Sequence, residues 1–439
     1  MSKVILVSPP YMKLSYPSYD MPLALTKGCN YMNPGLLICS SVLEDNNISN
    51  KIVKIDDINN DEILKHIDDD TILVGISCTC AWEYLESLKI AETIKKKYSD
   101  IKIVMSGWQI KSIKEKTFID SSDVDYLILG DAEYTIAELY NNVKNGTDNS
   151  IPSVITRKNT ENKNACYPKV EFTTIDFKKF PNYLDYFPYV EESRNCPYSC
   201  KFCLNSCVQD NYQIVPFETF KRNVELLEEI YGKNANASLL AANFGVNYDA
   251  TKEKLEYLKT KDINWNIELH VDNCWEKYID DLKEAGINKV SIGFESGSPK
   301  ILKMMNKSKN PEKYLLRLEK MLLELNKYGI KPSLNLLFDY REDYETIAET
   351  LRFLEKNKTL IKKVKGNFMF AFEGLLNSID FSYNPNIIID DYGKKIHAYP
   401  ILPSGMTLQE ISYIISEVEN GNYNLKILND IKAKQRVLQ

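Results

Sequence analysis

The feature that most limits the folds open to this chain is a rhythm of short β-rich runs and helical stretches that occurs twice. From the amino terminus, Val4–Ser8, Lys51–Ile55, Thr71–Ser77, Ile101–Met105 and Tyr126–Leu129 read as strands. Between them, Leu36–Glu44, Tyr84–Lys97 and Thr135–Val143 carry apolar residues at helical spacing. Strand and helix in this order build a doubly wound parallel sheet, with any ligand in the crevice beyond the carboxyl ends of the strands. A polar stretch rich in Asn, Asp, Lys, Thr and Pro follows, with a short hairpin expected around Ser153–Ile155 and Lys169–Phe172. The rhythm then resumes with a longer period: Ala237–Ala242, Trp265–Val271, Lys289–Phe294, Ser333–Phe338 and Gly366–Phe372 read as strands, and Phe217–Tyr231, Thr251–Thr260, Trp275–Ala285, Pro311–Tyr328 and Glu342–Asn357 as helices. Counting the run that ends at Ser193, this makes six β/α units, two short of a closed eight-stranded barrel. The fold class expected is α/β: a doubly wound domain over 1–145, a linker over 146–188, a partial barrel over 189–380 and a small helical extension over 381–439.

Where the second rhythm begins, Cys196, Cys200 and Cys203 stand at the spacing C-x3-C-x2-C. Three thiolates in so short a loop can hold three irons of a 4Fe-4S cluster, which normally takes four cysteines, and so leave one iron open. A zinc site would want four ligands, and only Cys207 is near enough in sequence to complete it. A disulfide would need an oxidising compartment, and unrelated free thiols are the remaining alternative.

The spacing, the aromatic Phe202 before the third cysteine and the Ser193-Arg-Asn-Cys-Pro-Tyr198 lead-in resemble the radical S-adenosylmethionine (SAM) superfamily. That resemblance implies a partial (β/α)6 barrel, SAM chelated to the open iron, and one-electron cleavage of SAM to a 5'-deoxyadenosyl radical. The stretch Ser291-Ile-Gly-Phe-Glu-Ser-Gly-Ser298 resembles the family's Gly-x-Glu-Ser-Gly-Ser and places Glu295 and Ser296 near SAM, with the Lys300–Asn306 run following family usage. Asn243 stands where relatives carry acidic residues that help position SAM. His270, on one face of its strand with Glu268 and Asp272, and Cys207, just past the third ligand, are candidate catalytic groups. The turn Phe338–Glu342 replaces the family's Gly-x-Pro-Gly-Glu with charged and aromatic residues that could contact substrate.

The amino-terminal loops are similar to those of the cobalamin-binding domain found in front of many radical SAM enzymes. The counterparts are Ser8-Pro-Pro10, the helix start Asn33–Leu37, Ser77 to Thr79, Ser106-Gly107-Trp108 and Gly130–Glu133. By that resemblance Ser77, Thr79, Gly107, Trp108 and Glu133 would surround cobalamin. Cys78 and Cys80 read as buried thiols. The Asp-x-His-x-x-Gly signature is absent, so no histidine would ligate cobalt from below. Trp108 also puts an indole where the corrin or its nucleotide tail would need room.

A net charge of -6 over 439 residues gives no reason to expect nucleic acid or an anionic membrane as partner. The run Val4–Val7 is too short for a secretory core, and no segment reaches the length of a membrane span, so a cytoplasmic location is expected. With three histidines in all, a multi-histidine metal centre has no ligands to draw on, and the absence of cysteine after Cys274 leaves one cluster. These readings point to a cobalamin-dependent radical SAM methyltransferase acting on an unactivated carbon of a small metabolite or peptide, fed by an electron donor such as flavodoxin or ferredoxin. A cobalamin-free radical SAM enzyme performing rearrangement, cyclisation, oxidation or group transfer is the alternative. A cluster-bearing binding or sensor protein is a third reading.

Overall fold

The computed structural model describes residues 2–10, 32–56, 60–161, 172–208, 211–389 and 391–438. They form two compact units. One holds the described residues up to Phe187 together with Lys394–His397, and the other Pro188–Gly393 and the described residues from Ala398 onward.

The strands of the first unit are β1 (Lys3–Ser8), β2 (Ser49–Lys54), β3 (Thr71–Ser77), β4 (Lys102–Ser106), β5 (Tyr126–Ile128) and β6 (Val154–Ile155). They form a six-stranded sheet in the order β2-β1-β3-β4-β5-β6. All pairings are parallel except β5 with β6. Val4, Ile5, Leu6 and Val7 are all buried, as expected of a central strand covered on both faces. Strand order reverses between β1 and β3, which is the switch point of a doubly wound sheet. The expected hairpin partner Lys169–Phe172 falls almost wholly outside the described residues, and Val154–Ile155 instead pairs with β5. The stretch expected as a linker therefore adds a strand to this unit.

At the switch point the helix Pro34–Asp45 starts with Asn33 as its cap and Pro34 in its first turn. The Asn33 carboxamide accepts from the Leu36 N–H and donates to Ser77 Oγ at 2.8 Å, tying the helix start to the end of β3. The β4 end is equally tight. Gly107 has φ 116°, and a Cβ there would lie 2.3 Å from the Cys78 carbonyl oxygen. The late segment Lys394–His397 returns to this unit: the Ile396 carbonyl accepts from Gln109 Nε2, and Asp120 Oδ2 meets both Tyr84 Oη and His397 Nε2 at 2.7 Å.

The second unit is built on β7 (Tyr189–Glu191), β10 (Ala235–Leu240), β11 (Ile263–Leu269), β12 (Ile287–Glu295), β13 (Ser333–Phe338) and β14 (Lys363–Phe368). Their sheet runs in the order β14-β13-β12-β11-β10-β7 and is parallel throughout. A small ribbon, β8 (Ser193–Arg194) with β9 (Gln213–Ile214), precedes β10. Neighbours follow chain order, as a partial barrel requires. Along β11 the side chains alternate: Ile263, Trp265, Ile267 and Leu269 are buried, while Asn264, Asn266 and Glu268 occupy the other face. The helix Pro311–Lys327 starts on an Asn310 cap, and Tyr344–Asn357 on a capping box between Asp343 and Thr346.

Three expectations differ from what is found. The helix expected over Trp275–Ala285 is two short 3-10 turns, Trp275–Lys277 and Ile279–Asp281. Cys274 supplies no side-chain cap, and the Trp275 indole donates to the Val271 carbonyl, so tertiary contacts set this path. The strand expected over Gly366–Phe372 is two: β14 ends at Phe368, and β15 (Phe370–Phe372) joins an antiparallel sheet with β16 (Asn386–Ile387) and β17 (Ala398–Leu402). The carboxyl-terminal extension is thus not wholly helical. Pro400 in mid-strand hid β17 in the sequence. It has no N–H to give the ladder, yet its carbonyl accepts from the Ile388 N–H at 2.9 Å. The helices Leu408–Glu419 and Lys426–Leu438 follow as expected.

Gly107→Ala should lower stability by about 2 kcal/mol, since it adds a Cβ contact with the Cys78 carbonyl to a strained φ. Thermal unfolding checks this, and a Tm equal to wild type would show that the β4 turn relaxes freely.

Candidate functional site

The three cysteines sit in the loop that leaves β7 at its carboxyl end, the end of a barrel where sites form. A buried ion pair anchors the strand beneath. Lys254 Nζ donates to the Glu192 carbonyl at 2.6 Å and to its carboxylate at 3.4 Å, with both side chains almost fully buried. The loop is then fastened by contacts that require no metal. Lys201 N–H donates to the Met305 carbonyl, Asn306 Nδ2 donates to the carbonyl and hydroxyl of Ser199, and Ser206 Oγ donates to the carbonyls of Cys200 and Cys203. Tyr198, inside the loop, stacks on His270 with ring centroids 4.1 Å apart and planes at 11°. Phe202 packs against Tyr340, Met369, Ala371, Ile379 and Ile401, a cluster to which the carboxyl-terminal sheet gives Ala371 and Ile401.

None of the three thiols is in a disulfide. Burial raises all three above the ordinary thiol range, Cys200 to about 11, so they carry protons until a metal displaces them. Among the described residues no three His, Cys, Asp or Glu side chains converge as ligands of a single ion would. In an iron-sulfur cubane each cysteine holds its own iron, so the sulfurs stand further apart than around one ion. Three free thiols in one short loop are a donor set that suits such a cluster.

Beside the loop lies the turn after β12. Register slips between Gly293 and Glu295, and Glu295 takes φ 61°, a left-handed conformation uncommon for a residue with a side chain. Its carboxylate meets Lys307 Nζ at 3.0 Å in a pair buried from solvent, and the same ammonium lies 5.9 Å from the Phe202 ring centroid. Burial pulls the Lys307 pKa down, but Glu295, Tyr314 and Cys200 together outweigh it and the ammonium titrates above its ordinary range. Gly293 makes room: a Cβ there would stand 2.7 Å from Lys307 Nζ and 2.9 Å from Glu295 Oε1. Ser296 is fully buried, with its hydroxyl 3.1 Å from Thr350 Oγ1 and 3.4 Å from Glu342 Oε1. Gly297 rests on the same helix, where a Cβ would meet Thr350 Cα at 2.7 Å.

Asn243 is buried. Its Oδ1 accepts from the His270 N–H at 3.0 Å and from Asn273 Nδ2 at 3.2 Å, while its own Nδ2 has no protein partner. His270 Nδ1 accepts from the Asp272 N–H, and burial pushes the imidazole down to about 2, so the ring is neutral at any physiological pH and acts as a platform for Tyr198. The Cys207 side chain lies outside the described residues. The turn expected to offer charges to substrate is folded inward. Arg341 pairs through two nitrogens with Asp339 and donates to the Met304 carbonyl, Tyr340 Oη accepts from the Asp380 N–H, and burial raises Glu342 to about 8.

In the first unit, the Thr79 N–H and hydroxyl both donate to Glu83 Oε2, at 2.5 and 2.8 Å. Burial raises the Glu83 carboxyl to about 7. Ser77, Thr79, Gly107 and Trp108 are half-buried, and Glu133 is buried. Lys111 lies 5.6 Å from the Trp108 ring, so the indole is a partly exposed surface of this unit and not part of its core. Cys78 is buried as expected, whereas Cys80 is half-exposed because it sits at the mouth of the helix it precedes. Two residues of the cysteine site were missed by sequence reasoning. Lys307 comes immediately after the recognised Lys300–Asn306 run, and Tyr198 is an aromatic within the cysteine loop itself.

Residues 190–354 match the sequence model of the radical SAM superfamily, and this part of the chain is a radical SAM domain. The chain is 23% identical over 321 residues to an uncharacterised methyltransferase of Pyrococcus horikoshii, a match covering 67% of this chain and 66% of that protein. It is 25% identical over 170 residues to the bacteriochlorophyllide d C-12(1)-methyltransferase of Chlorobaculum tepidum, covering 38% and 37%. Its fold is similar to that of the radical SAM methyltransferase TsrM from Kitasatospora setae, solved with cobalamin and a 4Fe-4S cluster bound: TM-score 0.66, 15% identity, 84% of this chain and 72% of that one. It is also similar to the cobalamin-dependent radical SAM enzyme OxsB, with TM-score 0.69 and 15% identity over 95% of this chain and 66% of that one. Among the described residues no helix is long and apolar enough to cross a membrane.

Two outcomes are expected from this geometry. Replacing Cys196, Cys200 and Cys203 together by Ala should reduce iron, after anaerobic reconstitution, from about four per chain to near zero; a triple variant that retains iron would place the cluster elsewhere. Glu83 has a folded pKa above its ordinary 4.5, so stability present below pH 4.5 is lost as pH rises through about 7. Glu83→Gln should therefore gain on wild type between pH 5 and pH 8, by on the order of 3 kcal/mol for the fully expressed shift. An equal Tm difference at both pH values would show that Glu83 does not ionise in this range.

Proposed function

We propose that this protein is a cobalamin-dependent radical SAM methyltransferase acting on an unactivated carbon of a small molecule or peptide. The observation that carries the reading is the combination, in one chain, of a three-cysteine loop fastened to the Glu295–Lys307 turn and a doubly wound sheet with small and polar residues at its strand ends. The methyltransferase names of the sequence relatives, and the cobalamin bound in structures of similar fold, support it. In this reading Cys196, Cys200 and Cys203 hold three irons. Glu295, held by Lys307, and Ser296 lie on the turn that the family resemblance places near SAM. When bound, the cluster supplies the electron that cleaves SAM, and cobalamin carries the methyl group. The protein's own part is positioning and dryness: Phe202 and its apolar neighbours shield one side of the loop, and Tyr198 on neutral His270 holds another. The electron comes from an external one-electron donor such as flavodoxin or ferredoxin, and a reducing cytoplasm suits cysteines kept as thiols.

A second reading keeps the radical chemistry without cobalamin. It is favoured by Thr79, whose donors both turn to Glu83, and by Gly107, pressed against Cys78. Titration with hydroxocobalamin separates the two. Binding should give a base-off absorbance spectrum, since no histidine stands among the described strand-end loops of the first unit, and reduced enzyme with SAM should release 5'-deoxyadenosine. A crevice that leaves the corrin spectrum unchanged at large excess, in a protein that still forms 5'-deoxyadenosine, would overturn methyl transfer and leave the cobalamin-free enzyme.

A further inference from the structure

We propose that the buried Lys307–Glu295 pair tunes the cluster electrostatically, with the Lys307 ammonium raising its reduction potential. The inference rests on Cys196, Cys200 and Cys203 being the cluster ligands.

Lysine is almost never buried without a partner, and Lys307 is only 5% exposed. Glu295 at 3.0 Å supplies the counter-charge, and the pair requires a glycine at position 293 and a left-handed backbone at Glu295. This arrangement brings a full positive charge beside the cysteine loop. The two residues before Lys307 are the ones that grip the loop: Met305 through Lys201, and Asn306 through Ser199. The ammonium itself lies over Phe202, the residue that immediately precedes Cys203.

The pair is neutral as a whole, but its ends are not felt equally. Lys307 Nζ lies 5.9 Å from the ring centroid of Phe202, the neighbour of Cys203, and Lys307 directly follows the two residues that hold the loop, so the positive end stands beside the cysteines. Lys307 and Glu295 are themselves buried, so the ammonium is screened less than a surface charge would be. One-electron reduction breaks no bond and adds one negative charge to the cluster, so a nearby cation favours the reduced form. Lys307 is thus a positioning and tuning residue: it shapes the field in which the electron arrives.

The test is a redox titration of the anaerobically reconstituted full-length protein without SAM, monitored by the electron paramagnetic resonance of the reduced cluster. At the wild-type midpoint, Lys307→Met should lower the ratio of reduced to oxidised cluster about tenfold, equivalent to about 59 mV for a one-electron couple. Glu295→Gln should move it the other way, and Lys307→Arg should restore the wild-type midpoint. Lys300→Met, which removes a half-exposed lysine paired with Asp343, should leave it unchanged. Coincident midpoints for wild type, Lys307→Met and Glu295→Gln would overturn the proposal, as would a shift of equal size in Lys300→Met. If Lys307→Met fails to fold or load iron, Glu295→Gln decides alone: a midpoint no higher than wild type sinks the idea. Wild-type protein that binds no iron would overturn the cluster assignment itself, and the iron count shows this before any titration.

Discussion

A lysine ammonium buried 3.0 Å from the Glu295 carboxylate is the constraint that shapes the backbone beside the cysteine loop. Removing either charge would leave the other stranded in a medium that solvates ions poorly, so both must be placed accurately. Much of the local backbone meets that requirement. Gly293 leaves the space, a register slip turns the chain, and Glu295 accepts an unfavourable φ to aim its side chain inward. The next two residues hold the strain: Ser296 and Gly297 sit on Thr350, and the helix carrying Thr350 starts from the Asp343–Thr346 capping box. A cap far downstream in the chain thereby supports the geometry at Glu295, which is how a strained conformation persists.

The first unit is built on a different logic. Its strand ends carry small and polar side chains, yet several of these look into the protein. Asn33 bonds Ser77, Ser106 Oγ donates to the Ile128 carbonyl, and Thr79 serves Glu83. Such bonds tie the strand ends to the body of the unit, so the loops that leave the sheet start from fixed points.

How far the site could be read from sequence differs by residue type. The strands of both sheets were legible because parallel strands buried on both faces are nearly continuous apolar runs, as in Val4–Val7, and because the half-buried Ile263–Leu269 alternates cleanly. The cysteines were legible because their chemistry lies in their spacing. Lys307 was not, since a lysine after a polar helix end looks like any solvated charge until Glu295 is seen beside it. The partners of the Asp339–Glu342 turn were not legible for the same reason: four polar residues in a row give no hint of the bonds each makes inside the fold. Ser296 is named with Glu295 by the family pattern, and only the structure tells that its hydroxyl reaches Thr350. Strand β17 was hidden by Pro400, which is tolerated because its carbonyl, not its missing N–H, makes the cross-strand bond.

The loop is held by neutral contacts and polarised by charged ones. Tyr198 rests on an imidazole that burial keeps uncharged, the main-chain bonds to Met305 and Ser199 are insensitive to pH, and Phe202 is wedged among Tyr340, Met369 and Ile401. None of these anchors changes character when a metal arrives or an electron is added. The charges are concentrated in one pair beside the loop. Position and field are therefore set by different residues, so the field can be altered without displacing the ligands. A site built the other way, with the loop hung on its ion pairs, would move each time its charge changed. Ala371 and Ile401 of the carboxyl-terminal sheet, with Met369 just before it, give the loop an apolar buttress at Phe202.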